Sequence, residues 1–287
     1  MKANFEEKSY ESYFNSELSS LSEVYFAPGQ ATEGYFGFDV AAFSLNRRLW
    51  RRLGHPFWIW PPFSGTDLAS VTLEMERFHG EVLDDLPQIR CNLLFQYKRP
   101  ERMERSTSSE WKHWHVPYFR YDVDQNQQKL LEAIHHSFAA NVLVAYAAPA
   151  TVDVNRLVQC SIERSIINNS NFKKAADLSG HRRNTYVHAG THSVACSEPK
   201  TIRNIDLLET IEQLKQETSL NSNLTNRQLI KEFVNGVRAV IEQDEYFGAS
   251  FRQLLERERA NDYPLYQAFS TMANVRLLTG LQWIVGF

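Results

Sequence analysis

Apolar and polar positions alternate at helical spacing near the start of the chain. Tyr10, Tyr13, Phe14, Glu17 and Leu18 share one side of a stretch from Phe5 to Leu21, which predicts an amphipathic helix with Glu17 at the edge of its apolar stripe. Ser22–Ala27 reads as a strand ended by the Pro28-Gly29 turn, and Gly37–Phe43 as a second strand. Asn46–Leu53 has a short helical pattern. Phe57–Phe63 is a strand or edge segment stopped by two prolines, and Leu68–Val82 is a ragged helix. Cys91 to Phe95 is nearly all apolar, as expected of a strand covered on both faces. The aromatic segment Trp111–Tyr121 follows, partly extended. Asp124 then caps a helix through about Ala139, with Leu130, Leu131, Ile134 and Phe138 at helical spacing. Asn141–Ala147 is an apolar strand closed by Pro149.

The pattern changes after that strand. Val152–Glu163 predicts a helix, and Gly180–Ser197 is irregular or short β. Four helical stretches complete the chain: Ile205–Glu217, Thr225–Gln243, Tyr246–Ala260 and Tyr263–Ile284. Thr225 is an N-cap with Gln228 at the capping-box position. The expected organisation is a core over residues 1–150 with an insertion at about 45–88, and a mainly helical accessory region over 151–287 packed on that core.

Composition narrows the classes. At 287 residues the chain suffices for one large domain or two ordinary ones. Hydrophobic residues make up 43% and charged residues 23%, an ordinary globular balance. A net charge of -3 gives no general attraction to nucleic acid, so a polyanion needs a local basic patch. Cys91, Cys160 and Cys196 are far apart and odd in number, which suits a reducing compartment rather than a disulfide framework. No apolar run reaches membrane-spanning length and the N-terminus lacks an apolar signal core, so a cytoplasmic protein with no membrane partner is expected. P-loop, dinucleotide-binding and nucleophile-elbow motifs are missing, which removes support for the ATPase, dinucleotide-enzyme and serine-hydrolase classes.

Polar residues placed inside strand patterns carry the chemistry. Gln96 and Lys98 lie two apart and therefore share one face of their strand. Asp39 falls in the Gly37–Phe43 run, with Glu33 six positions before it. Gly37-x-Asp39 on one strand and Gln96-x-Lys98 on a later one resembles the PD-(D/E)xK nuclease superfamily, most closely the Mrr-type restriction endonucleases in which Gln replaces the second acid. The likeness covers about the first half of the chain and departs from the family in the long insertion between Asp39 and Gln96.

The resemblance implies an α/β fold with a restriction-endonuclease-like αβββαβ core, a mixed central sheet and a mainly helical C-terminal region. It also implies a metal-dependent DNA endonuclease of bacterial restriction or phage defence, working with Mg²⁺ or Mn²⁺. A homodimer or a defence-system partner protein fits the same picture. Asp39 is the first metal ligand, with Glu33 or Glu17 as the second and the Gln96 carbonyl oxygen as a neutral third. Lys98 orients the attacking water and offsets developing charge. DNA contacts are expected from the arginine-rich stretch Arg47, Arg48, Arg51 and Arg52, and from Arg99, Arg102 and Arg105 beyond the lysine, because guanidinium forks match phosphate oxygens.

Blander readings stand beside these. The Asp39–Lys98 set also suits a structural ion pair, in which case the fold is a non-catalytic nucleic-acid-binding or sensor module. The arginine clusters also suit a solvated surface. His188-x₃-His192-x₃-Cys196, with His181 nearby, has spacings for zinc on a helix. Gly190 and the β-branched neighbours argue against a helix there, which leaves loop histidines, or phosphate contacts alongside Arg182 and Arg183.

Overall fold

The computed structural model describes residues 1–22, 24–27, 41–44, 91–138, 141–190, 192–196, 199–221, 224–257 and 264–286. In chain order the elements are α1 (Glu7–Ser19), β1 (Val24–Ala27), β2 (Ala41–Ser44), β3 (Cys91–Tyr97), β4 (Glu101–Met103), α2 (Trp111–Trp114) and β5 (Tyr118–Asp122). There follow α3 (Gln125–Phe138), β6 (Leu143–Pro149), α4 (Val154–Ile162), β7 (Ser170–Lys174), a 3-10 turn (Ala175–Leu178), β8 (Arg183–Tyr186), β9 (His192–Cys196) and β10 (Lys200–Arg203). Helices α5 (Leu207–Asn221), α6 (Asn226–Gln243), α7 (Gly248–Arg257) and α8 (Pro264–Thr279) lead to β11 (Gln282–Gly286). The architecture is α/β with a mixed sheet and helices. No helix among the described residues is long and apolar enough to cross a membrane.

Two compact units interleave along the chain instead of meeting near residue 150. As far as they are described, one takes residues 1–20, 95–139 and 143–213, and the other takes 21–94, 140–142 and 214–287.

The first unit is built on the end of β3 and on β6 and β7, with α1 against them. The α1 residues Tyr10, Phe14 and Leu18 are fully buried. Alternation along β3 sends Phe95 and Tyr97 toward this helix. The Phe14 ring lies 5.2 Å from Phe95 and 5.4 Å from Tyr97, both edge-on, the arrangement that ring quadrupoles favour. The phenol groups in this layer have partners: Tyr10 donates to Ser170 Oγ at 2.8 Å, and Tyr97 to Asn15 Oδ1 at 2.6 Å.

A second sheet in this unit has the order β10-β9-β8-β5-β4, antiparallel at every step. Strands β8 and β9 arise from the stretch Gly180–Ser197, which reads as irregular or short β, and β4, β7 and β10 from stretches with no strand pattern. Strand β7, Ser-Asn-Phe-Lys-Lys, is polar yet buried through Lys173. Its Asn171 sits in a buried network in which Ser193 Oγ donates to Asn204 Oδ1 at 2.6 Å and Asn171 Nδ2 donates to Ser193 Oγ at 3.3 Å. Hydrogen bonds of this kind let polar groups occupy a core.

In the second unit β1 pairs antiparallel with β2 and with β11. Trp283 of β11 is buried, donates from Nε1 to Asn92 Oδ1 at 3.1 Å, and meets the Phe233 ring at 5.2 Å. Helix α6 packs against α7 and α8, and Arg238 Nε donates to Thr271 Oγ1 at 2.7 Å. The capping box at the start of α6 is present as expected, Thr225 accepting from the Gln228 N–H and Gln228 accepting from the Thr225 N–H. The single helix expected over Tyr263–Ile284 is instead α8 followed by β11. Gly280, at φ 72°, makes the break in a left-handed conformation suited to glycine. The elements read at Asn46–Leu53, Phe57–Phe63 and Leu68–Val82 lie outside the described residues.

Candidate active site

The pleat that turns Phe95 and Tyr97 toward α1 turns Gln96 to the opposite face, and Lys98, one residue past the strand, follows the same direction. The Lys98 N–H donates to the Ala147 carbonyl at 2.9 Å, which ties the end of β3 to β6. Lys98 Nζ then donates to Gln127 Oε1 at 3.4 Å and lies 5.6 Å from the centre of the Tyr146 ring. Gln127 Nε2 donates to Gln96 Oε1 at 2.5 Å, and Gln96 Nε2 donates to the Tyr97 carbonyl at 3.1 Å. Gln96 and Lys98 therefore converge, as their spacing predicts, and they converge on a glutamine from α3.

Helix α3 is held so that Gln127 reaches this point. The Asp124 carboxylate accepts the Gln127 N–H at 2.9 Å, an N-terminal cap that satisfies one of the free donors of the first turn. The adjacent Gln128 accepts from the Tyr146 hydroxyl at 2.6 Å and donates to the Ala175 carbonyl at 2.8 Å. Gln127 and Gln128 are both buried.

Burial pushes the Lys98 ammonium below the usual lysine range, against the opposing pull of the negative charges of Glu7, Asp124 and Asp122. A half-buried amine with a weakened hold on its proton, beside an amide oxygen, is able to orient a water or meet negative charge on a substrate.

Asp39, Glu33 and Gly37 lie outside the described residues, as do Arg47, Arg48, Arg51 and Arg52. Among the described residues no three His, Cys, Asp or Glu side chains gather to hold a metal ion. What the described site offers a divalent cation is the Gln96 carbonyl oxygen, a hard neutral donor of the kind Mg²⁺ accepts. Glu17 is engaged away from this group: its carboxylate accepts the Ile166 N–H at 2.7 Å and the Ile167 N–H at 3.3 Å.

The second basic group is described. Arg99 faces Glu6 at 3.4 Å and also donates to the Ala3 carbonyl. Arg102 lies on β4 beside Glu104 at 3.6 Å, and Arg105 is exposed. Arg183 is held by Asp122 at 2.6 Å and Glu110 at 3.1 Å, and Arg182 is exposed.

The end of the histidine and cysteine series, His192–Cys196, is an extended strand. His192 and Cys196 stand at the two ends of β9, about 13 Å apart at strand rise, too far for one zinc ion. His192 stacks on Trp114 at 5.2 Å, and Cys196 Sγ donates to the Val194 carbonyl at 3.5 Å.

Gln127, Asp124, Tyr146 and Glu7 had not been singled out for this site. One signal was legible: Asp124 and Gln127 have the spacing of a capping box, like Thr225 and Gln228. In α3 the glutamine side chain leaves the box and turns to the β3 residues. No family model matches the chain, and neither a curated protein nor a solved structure matches it.

Proposed function

We propose that this chain is a metal-dependent endonuclease that hydrolyses DNA phosphodiester bonds, with the restriction-endonuclease-like core as its fold. The observation that carries the reading is the meeting of Gln96 and Lys98 at Gln127, which sets an amine donor and an amide oxygen side by side at the end of a buried strand. The Gly37-x-Asp39 and Gln96-x-Lys98 resemblance supplies the rest, and the setting of restriction or phage defence rests on that resemblance alone.

In this reading a Mg²⁺ or Mn²⁺ ion would be held by Asp39, Glu33 and the Gln96 carbonyl oxygen; when bound it acidifies a water and neutralises phosphate charge. Lys98 donates to the attacking water or to a phosphoryl oxygen and offsets the charge that grows there. A water oxygen bonds to phosphorus as the bond to the leaving oxygen breaks. One water proton passes to solvent and the leaving oxygen takes one up. Burial around Lys98 strengthens its electrostatic contribution, because the local dielectric is lower than that of water.

Incubating supercoiled plasmid with the protein and Mg²⁺ or Mn²⁺, beside an EDTA control, tests the reading. Nicked or linear product that EDTA prevents is expected. DNA binding without cleavage in either metal would assign the fold a binding role, with the Gln96–Gln127–Lys98 hydrogen bonds serving structure.

A further inference from the structure

We propose that Gln127 is the positioning residue of this site, fixing which way the Gln96 amide points and where the Lys98 amine stands. Its effect on cleavage rests on the nuclease reading, whereas its effect on the Gln96 amide does not.

Four groups form a chain of hydrogen bonds that runs in one direction. At one end the Tyr97 carbonyl has only lone pairs, so Gln96 turns its NH₂ to it and its oxygen away. At the other end the Lys98 ammonium has only N–H donors, so Gln127 presents its oxygen there and its NH₂ to Gln96. Both amide orientations are thereby set by the ends of the chain. Polarised chains of this kind strengthen one another and lose more than one bond when a member is replaced.

The middle member is the one held from outside. Gln96 and Lys98 share a strand end, while Gln127 comes from α3, where the Asp124 carboxylate fixes its N–H at 2.9 Å and Gln128 docks the next residue on Tyr146. By donor and acceptor count the arrangement leaves one lone pair on Gln96 Oε1 and two N–H groups on Lys98 for other partners. The same chain accounts for an amide at position 96, because a carboxylate there would set an oxygen against the Tyr97 carbonyl.

The negative charges of Glu7 in α1, Asp124 ahead of α3 and Asp122 in β5 act on Lys98, and the Tyr146 ring of β6 lies 5.6 Å from its Nζ. Gln127 is the neutral acceptor in this set. Gln127→Glu adds a negative charge next to the amine and removes the donor to Gln96; Gln127→Leu removes both bonds.

The test is NMR of the Gln96 side-chain NH₂ in the full-length protein, its signals assigned with Gln96→Ala, together with kcat and KM of plasmid cleavage. In Gln127→Glu and Gln127→Leu the Gln96 NH₂ signals should move and their hydrogen exchange should quicken, since the amide loses the donor that holds its oxygen. kcat should fall by about 10–100-fold in both, with KM little changed. If Gln127→Leu does not fold, Gln127→Glu, nearly the same size, decides alone. Gln96 NH₂ signals unchanged in the folded variants overturn the proposal. So does a lower kcat/KM that comes from KM alone, since that marks a loss of binding and not of positioning. If the wild-type protein cuts no DNA, the nuclease reading fails by itself, and the Gln96 signals still decide what Gln127 does.

Discussion

The Glu17 carboxylate accepts the backbone N–H of Ile166 at 2.7 Å, joining α1 to the turn that precedes β7. A second bond, from the Ile167 N–H at 3.3 Å, uses its other oxygen. Glu17, one of two alternatives for a second metal-binding acid beside Glu33, thus closes a turn. Glu17→Ala should cost about 1.5–3 kcal/mol of stability, the range for hydrogen bonds to a charged group, and leave the metal-concentration dependence of cleavage unchanged. Urea denaturation and a metal titration of cleavage check the two parts. A weakened metal dependence would return Glu17 to the site.

The aromatic layer under α1 gives a second prediction. Phe14 is fully buried, with Phe95, Tyr97 and Phe172 within 5.8 Å between ring centres. Phe14→Ala should destabilise the protein by about 3–5 kcal/mol, read as a lower urea midpoint. A loss well under 1 kcal/mol would mean that the layer collapses around the gap.

Lys173 gives a pH dependence. Burial pushes its amine down to about 8, and it donates to the Arg203 carbonyl. In the unfolded chain the amine returns to about 10.4, so between these values the unfolded state binds a proton that the folded state has lost. Stability contributed by this group therefore rises with pH from about 8 to about 10.4, and below about 8 the burial cost is present in full. Urea denaturation of wild type and Lys173→Met should show the wild type gaining on the variant across that window. Lys98 shifts in the same direction in both proteins and cancels in the difference. Parallel stability curves would contradict the assignment.

How far the sequence led depends on the kind of signal. The Thr225–Gln228 box, the α1 stripe and the apolar run of β3 were legible because each follows from local geometry. Strand β7 was hidden: Asn171 and Lys173 are polar, and partners distant in sequence, among them Ser193 and Arg203, make their burial acceptable. The α8–β11 junction was missed because Leu277 to Val285 is largely apolar on both sides of the break, and hydropathy does not register the positive φ of Gly280. In the site, Gln96 and Lys98 were legible from period-two alternation in a strand. Gln127 was not, since a glutamine in the first turn of a helix reads as solvated until the helix is docked. Glu17 came among the acids only through the family resemblance, and in the structure its carboxylate accepts the Ile166 and Ile167 N–H groups.

Binding should be set by local charge, given a net charge of -3. Arg99 and Arg102 each face an exposed glutamate, Glu6 at 3.4 Å and Glu104 at 3.6 Å. Exposed pairs of this sort are worth about 0–1 kcal/mol, so a phosphate can displace the carboxylate. If both arginines meet phosphates, the slope of log affinity against log salt should flatten by about 1.8 in the double variant Arg99→Ala/Arg102→Ala, equally for unrelated DNA sequences. An unchanged slope would move the binding surface to other arginines, Arg182 and Arg183 first.

The most direct measurement compares plasmid cleavage by wild type and Lys98→Ala in Mg²⁺ and in Mn²⁺, with circular dichroism and DNA binding recorded on the same preparations. Lys98 is half-buried and its ammonium donates to Gln127 at 3.4 Å, a long bond, so its truncation should leave the fold and the binding largely intact. The expected result is loss of cleavage by about 100-fold or more, the scale of removing one preorganised donor from a charge-stabilising site. A folded Lys98→Ala protein that cuts at the wild-type rate, free of contaminating nuclease, would contradict the account.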